Sequence, residues 1–539
     1  MIRRASSRLT GWTFPALALA SLVALPVLVV LIQVTADSGG VWSHLRETVL
    51  PGYLKNSFAL LLGVGLGAVV LGTGTAWLTT VFDFPGRRLF SWALLLPLAM
   101  PTYLMAYACT DLLQFSGPVQ SWLRESFGWS RGDYWFPEIR SLGGATVSFA
   151  FVLYPYVFLL ARASFREQSP GVLEASRTLG HGPWSTFFRV ALPLARPGIA
   201  AGASLVAMET LADYGAVDHF AIDTFTTGIY RTWTSLDSTT AASQLAAVLV
   251  LCVAAVLSLE RLARGDARYA SSRTPRAFRR RTLGGWRAAA STTACAIPLL
   301  VGFGLPLLVL VGQALRAGHD RIAADSLELV GNTLLVAAFT VVVVVAIGLL
   351  LAYASRLDGT RLIAFASRVV SLGYAVPGSV IAIGVLVTLG GLTELTGVLA
   401  VGTLAGVVYA HAVRFSSLSV QTLDAGLQRI APSLDQAART LGEGPGGVLK
   451  RIHAPLLRGS LLTATLLVFV DVMKELPATM ILRPFDFDTL AVRVHHYASD
   501  ERLAQAALPA LLIVMVGLAP VVLLSGAVDD GTANERGRA

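Results

Sequence analysis

The sequence predicts an all-α polytopic membrane protein of about twelve transmembrane helices, arranged as two parallel six-helix halves. Three observations predict it. Hydrophobic residues make up 54% of the 539 and charged residues only 14%, with a mean hydropathy of +0.65; a soluble globular chain carries roughly 25% charged residues. The apolar residues gather in windows of about 20, the length a helix needs to cross hydrocarbon. A polar, arginine-bearing stretch also recurs. Glu174-Ala175-Ser176-Arg177-Thr178-Leu179-Gly180 in the first half returns as Gln436-Ala437-Ala438-Arg439-Thr440-Leu441-Gly442 in the second, at an offset of 262 residues.

Taken in order, the windows of the first half lie near 14–34, 57–79, 89–113, 143–161, 198–216 and 242–260. Those of the second lie near 288–311, 330–354, 369–389, 397–413, 460–478 and 503–525. The first follows Arg3, Arg4 and Arg8 and runs from Phe14 to Val34. That is longer than the 7–15 apolar residues typical of a secretory signal, and no Ala-x-Ala site follows, so it is expected to be an uncleaved span. The windows at 198–216 and 460–478 differ from the rest in carrying acidic residues. Strands of a porin-type barrel would be about 10 residues long and alternate in polarity, and no such pattern occurs.

Arginine placement orients the spans. With the N-terminus cytoplasmic, the inside segments (the N-terminus, 81–88, 162–197, 261–287, 355–368, 414–458 and the C-terminus) hold 30 of the 42 Lys and Arg residues. That is a positive-inside bias, and it places both termini in the cytoplasm. The net charge of +9 is thus a topology signal, and no soluble basic domain exists to bind nucleic acid. Cys109, Cys252 and Cys295 fall in separate predicted spans without a Cys-x-x-Cys, so neither zinc nor a disulfide framework is indicated. His495-His496, the sole His pair, is expected in an exposed outside loop with its side chains pointing apart.

The repeat runs well beyond the loops. Asn56-Ser57 matches Asn332-Thr333, and Pro101, inside the third window, matches Pro377, inside the ninth, both at an offset of 276. Arg87-Arg88 corresponds to Arg361, and Phe225-Thr226-Thr227 to Phe487-Asp488-Thr489 at the offset of 262. Six spans per half keep both halves in the same sense, a parallel repeat with a pathway expected between them. The expected domains are 1–262, an Arg-rich cytoplasmic linker 263–287, and 288–539, with the repeated loops at 162–197 and 414–458.

Each loop reads as two short helices. Pro170 and Pro432 start the first, and Gly180 and Gly442 close it in the left-handed conformation that commonly ends a helix. The second runs from Pro183 to about Ala191, where Pro193 is expected to stop it; Pro445 and Pro455 bracket its counterpart. Matched internal spacing in two copies argues against a generic inside loop.

Glu-Ala-Ala-x3-Gly-x9-Ile-x-Leu-Pro resembles the cytoplasmic loop of permease subunits of binding-protein-dependent ABC importers. The first copy carries Ser176 for the second Ala and Val190 for Ile. The second carries Gln436 for Glu and Ala454 for Leu, which puts any salt bridge of the family in doubt there. The resemblance implies a fused pair of permease domains of the type I importer fold in a bacterial inner membrane. It also implies coupling helices docking on a separate ATP-binding subunit, in two copies, and a periplasmic solute-binding protein as a further partner. The coupling residues it implies are Glu174, Ala175, Ser176, Gly180, Pro193, Gln436, Ala437, Ala438, Gly442 and Pro455. Independently, the three lysines, Lys55, Lys450 and Lys474, never follow glycine, so no Gly-x4-Gly-Lys-Ser/Thr loop exists here. ATP is therefore expected on the partner, with no cofactor and no enzyme activity in this chain.

Beyond the loops lie Met208-Glu209-Thr210-Leu211-Ala212-Asp213-Tyr214 and Asp471-Val472-Met473-Lys474-Glu475. The offset of 262 aligns Glu209 with Asp471 and Asp213 with Glu475. Acids inside spans are costly and face a polar cavity or a partner. They fit either a translocation pathway, with Tyr214, or a lock between helices involving Lys474. Together with Phe225–Trp233 and Lys474–Thr479, these segments look most like the ferric-iron permeases of the superfamily. Fe(III) is a hard cation that prefers carboxylate and phenolate oxygen. Thiamine and polyamine permeases are related alternatives, and a secondary transporter of two six-span halves would leave the paired loops without a purpose. The residues do not indicate a metal site.

Overall fold

The computed structural model describes residues 11–168, 170–264, 280–317 and 322–536. Arg3, Arg4 and Arg8 and most of the expected linker (265–279) lie outside them. Among the described residues nearly every element is a helix; the only strands are Phe82–Asp83 and Arg281–Thr282, paired in parallel.

Among the described residues nine helices are long and apolar enough to cross a membrane, and two sharply bent helix pairs raise the number to eleven. The one expected span outside this number, the tenth at 397–413, belongs to the helix Leu404–Gln428. Gly397 and Gly402, both at positive φ, hold the chain in a turn until Thr403 caps that helix. The helix is less apolar than the others because His411, Arg414, Ser416, Ser417 and Ser419 interrupt it. All three serines are fully buried, so its polar groups face protein.

The third window is broken. Helical segment Arg87–Ala99 and helix pair Thr102–Phe127 meet at 91°. Pro101 sits at the break as the N-cap of Thr102–Leu113, with φ −56° and ψ 145°. Pro377 caps Gly378–Thr396 with φ −57° and ψ 143°. The prolines therefore do not lie inside continuous spans, as the sequence suggests; each starts a helix. Proline excludes the residue before it from helical geometry, and Met100 and Val376 are accordingly extended.

The chain forms two compact units, and they cut across the sequence repeat. One joins Met1–His44 and Gly228–Val250 to Ala323–Arg493; the other joins Leu45–Thr227 to Leu251–Ile322 and Val494–Ala539. Each thus takes the core of one half together with the opening helix and half or more of the closing span of the other. In the first unit, helix Thr13–Ile32 lies along Arg361–Ser371 and Gly378–Thr396. Gly384 leaves no room for a Cβ against the Pro26 backbone, and the Tyr409 hydroxyl donates to the Leu22 carbonyl at 2.7 Å. In the second, span Gly285–Arg316 is tied to the first half's core by the strand pair, by Thr292 donating to the Pro85 carbonyl (3.0 Å), and by Gln313 donating to Asp111 (2.7 Å).

Candidate functional site

The repeated loops fold alike. Helices Pro170–Thr178 and Pro432–Thr440 each end in a left-handed glycine, Gly180 and Gly442, both at φ +86°. Beyond each glycine, a backbone amide reaches back five residues: His181 to the Ser176 carbonyl at 3.1 Å, Glu443 to the Ala438 carbonyl at 3.0 Å. This closing bond satisfies carbonyls the helix would leave open. Burial repeats as well. Glu174 and Ala175 are exposed with Ser176 buried; Gln436 and Ala437 are exposed with Ala438 buried. The third position is therefore the inward anchor, and Ser176 meets Thr186 there at 3.2 Å.

Pro193 does not stop the second loop helix. Pro183–Thr186 passes through a π-helical turn, Phe187–Ala191, directly into Leu192–Ala212. The matching turn is Leu449–His453, again 262 residues on. A π turn widens the backbone ring, so a proline entering just after it neither clashes nor leaves a bond unmade. In the second half the chain breaks after Ala454–Leu456 instead, and helix Arg458–Met473 departs at 76°. Pro455 and Pro193 are both exposed.

Two features of the loops were not assigned a role from the sequence. Leu179 is 79% exposed and Leu441 85%, each just before the closing glycine, with Trp184 also exposed beside the first. The two copies thus expose a large apolar side chain at the same place, one residue before the left-handed glycine. The exposure is a property of the turn, although the shared Leu-Gly was a usable signal.

The second feature is an ionic anchor in one copy. Asp435 accepts from Arg356 Nε at 2.9 Å and Nη2 at 3.3 Å, and from His453 Nε2 at 2.7 Å. Arg356 also donates to the Leu427 carbonyl, and the Tyr353 hydroxyl donates to the Pro445 carbonyl at 2.6 Å. Burial pushes the Asp435 carboxyl up, but the hydrogen bonds from Arg356 and His453 outweigh it and hold the group below its ordinary value. At the repeat offsets the first half carries Trp77, Thr80, Leu173 and Ala191 in place of Tyr353, Arg356, Asp435 and His453. There the Trp77 ring packs on Phe165 and Phe187, with centroids 5.2 and 5.1 Å away.

The acids after the loops divide into two kinds. Asp213 and Glu475 cap the short helices that follow them. Asp213 Oδ1 accepts from the Ala216 and Val217 amides at 3.0 and 3.2 Å, and Oδ2 accepts from the Thr102 hydroxyl. Glu475 accepts from the Ala478 and Thr479 amides at 2.9 Å each, and from Arg414 and His411 at 3.3 and 3.2 Å. Asp471 pairs with Lys474 at 2.8 Å, and Glu209 is partly exposed. Tyr214 is buried, its ring 5.5 Å from that of His495. His495 is not in an exposed loop: it lies buried on Leu490–Ser499, 3.0 Å from the Tyr107 hydroxyl. Among the described residues no group of three or more His, Cys, Asp or Glu could hold a metal ion.

Comparison with known proteins places this geometry. The family model of binding-protein-dependent transport system inner membrane components matches residues 68–265. The molybdenum transport system permease protein ModB of Haemophilus influenzae is 30% identical over 164 residues, which span 30% of this chain and 69% of that protein. The chain belongs to this family. It is a multi-pass permease subunit of that class. Over a longer range it is 26% identical to the Fe(3+)-transport system permease protein FbpB 2 of H. influenzae, across 87% of this chain and 89% of that one. The sulfate transport system permease protein CysT of Escherichia coli is 32% identical over 28% of this chain and 50% of its own.

Proposed function

We propose that this chain is the fused permease of a ferric-iron ABC importer, with both termini cytoplasmic. It passes iron from a periplasmic binding protein to the cytoplasm, using ATP hydrolysed by two copies of a separate subunit. The observation that carries the coupling is the matched pair of loop helices, each ending in a glycine at φ +86° with an exposed leucine before it. Exposed Glu174 and Ala175, and exposed Gln436 and Ala437, would form the docking face. Ser176 and Ala438 would seat each helix on its own unit.

The substrate reading is supported by the span of the likeness to the Fe(3+) permease, which covers nearly the whole chain, whereas the molybdenum and sulfate relatives match less than a third of it. Glu209, partly exposed, and Asp471, paired with Lys474, would offer carboxylate oxygen to a passing hard cation, with Tyr214 nearby in sequence. Asp213 and Glu475 would shape the path by fixing the helices that follow them.

The test is reconstitution with the ATPase and the binding protein. Iron-loaded binding protein should stimulate ATP hydrolysis and drive radio-iron uptake, and Glu209→Gln with Asp471→Asn should lower uptake at unchanged ATPase docking. Stimulation by an oxyanion-loaded binding protein alone would overturn the iron assignment and keep the permease assignment.

A further inference from the structure

The two repeats differ in length at one place. Their offset is 276 at Pro101 and Pro377 but 262 at Gly180 and Gly442, so the first half holds 14 additional residues between those points. The structure puts them between Thr102–Leu113 and Leu142–Glu167, where Gln114 to Ser141 include the helix Pro118–Phe127. The second half crosses the same position with 390–403, the end of helix Gly378–Thr396 and the short turn after it.

The insertion is built, not slack. Arg124 Nη1 donates to the Phe115 carbonyl (2.9 Å) and to the Tyr134 hydroxyl (3.1 Å), which in turn donates to Gln120 (2.8 Å). These bonds hold the segment to itself. Its aromatic rings also meet one another. Trp122, Phe127, Trp129 and Tyr134 form a continuous ladder of ring contacts, with centroids 6.4, 4.6 and 5.5 Å apart. Trp122 and Phe127 are more than half exposed, and the neighbouring Trp135 is 85% exposed.

Its level in the membrane follows from its ends. The segment leaves one membrane helix and enters another, Leu142–Glu167, whose 26 residues rise about 39 Å. It therefore sits at the bilayer boundary, at the opposite end of that span from the loop helix Pro170–Thr178. At the equivalent point of the other repeat, Leu395, Val398 and Leu399 are 67–87% exposed. Large apolar side chains exposed at the corresponding point of both repeats indicate that this part of the chain meets lipid.

We propose that the segment Gln114–Ser141, which holds the 14 additional residues, is an interfacial anchor that beds its aromatic ladder in the phospholipid headgroup layer of that leaflet. Tryptophan and tyrosine suit this layer because an apolar ring sits below and a polar atom above. Arg131, exposed and lying 5.3 Å over the Phe115 ring, supplies a cation at the height of the lipid phosphates. Only the first repeat carries this anchor, so the leaflet grips the two repeats unequally.

The experiment uses the full chain in phosphatidylglycerol/phosphatidylethanolamine nanodiscs, with a nitroxide on Trp122→Cys, Trp135→Cys or, as a control at the polar turn, Gly132→Cys. Unsubstituted protein sets the background from the native cysteines. Oxygen should relax the labels at 122 and 135 at least threefold more than a water-soluble nickel chelate does, and the reverse should hold at 132. Chelate access at 122 and 135 equal to that at 132 overturns the proposal. Chelate access there that disappears when binding protein is added also overturns it, and assigns the ladder to protein docking instead. Double substitution Trp122→Ser/Trp135→Ser, which leaves the Arg124 network intact, should retain folding and restore chelate access at a label on Phe127→Cys.

Discussion

Asp435→Asn tests how the second loop helix is held. The substitution keeps the shape of the side chain and removes its charge. Asp435 is 13% exposed, Arg356 12% and His453 fully buried, so the loss falls on a mostly desolvated cluster. Hydrogen bonds to charged groups contribute about 1.5–3 kcal/mol, and breaking a fully buried pair costs about 3–5 kcal/mol. With a neutral asparagine each contact keeps a neutral hydrogen bond's worth and loses about 1 kcal/mol at each of the two partners, Arg356 and His453, which puts the cost at about 2 kcal/mol. At about 1.4 kcal/mol per tenfold, the undocked population of Pro432–Thr440 should rise roughly 30-fold. Hydrogen exchange followed by mass spectrometry on the protein in nanodiscs reads this directly, because amides of the loop helix exchange through local opening. Exchange across 432–440 should accelerate by that factor while 170–178 stays unchanged. A change below about threefold would show that packing, not the ion cluster, seats this helix.

Acid should act on the same helix. Because the Asp435 carboxyl is held below its ordinary value, its stabilising contribution is present above the unfolded carboxylate pKa and is lost as pH falls through the folded one. Intrinsic-rate-corrected exchange of 432–440 should therefore hold steady from pH 7 to about 5 and rise only in stronger acid. Gly180→Val and Gly442→Val force a Cβ into a left-handed turn, costing about 1–2 kcal/mol each, and should weaken ATPase docking, measured by co-purification, at normal membrane abundance. The Cβ itself meets nothing within 4 Å, so the effect comes from the backbone alone. Glu475→Gln leaves Arg414 without its buried carboxylate and should lower thermal stability by about 2–4 kcal/mol, whereas Asp213→Asn, which keeps a capping oxygen, should cost under about 1 kcal/mol; equal losses in a detergent melt would refute the distinction.

Composition, span-length windows and the repeat settle the class of this chain because each depends on local sequence: hydrocarbon thickness sets the window, and a duplicated unit keeps its offsets. Gly180 and Gly442 were legible for the same reason, since a helix end is decided within one turn. The change in offset from 276 to 262 likewise contains the insertion, although not its aromatic ladder. What sequence could not decide is what depends on partners far along the chain. For Asp213 and Glu475 the sequence shows only acids within spans, open to a pathway or to a lock between helices; the fold supplies their contacts, backbone amides three and four residues on, with Thr102 or with Arg414 and His411 closing the set. Pro193 looks like a stop and is carried through by a π turn. His495, polar and adjacent to a second histidine, looks exposed and is buried against Tyr107, 388 residues away. The exchange of opening helices between the halves is likewise a tertiary choice. Thr13–Ile32 and Gly285–Arg316 are apolar along most of their length, and an apolar helix does not encode its neighbour; Gly384 against Pro26, and Thr292 and Gln313 bonding to the other half's core, do so only once the fold has formed.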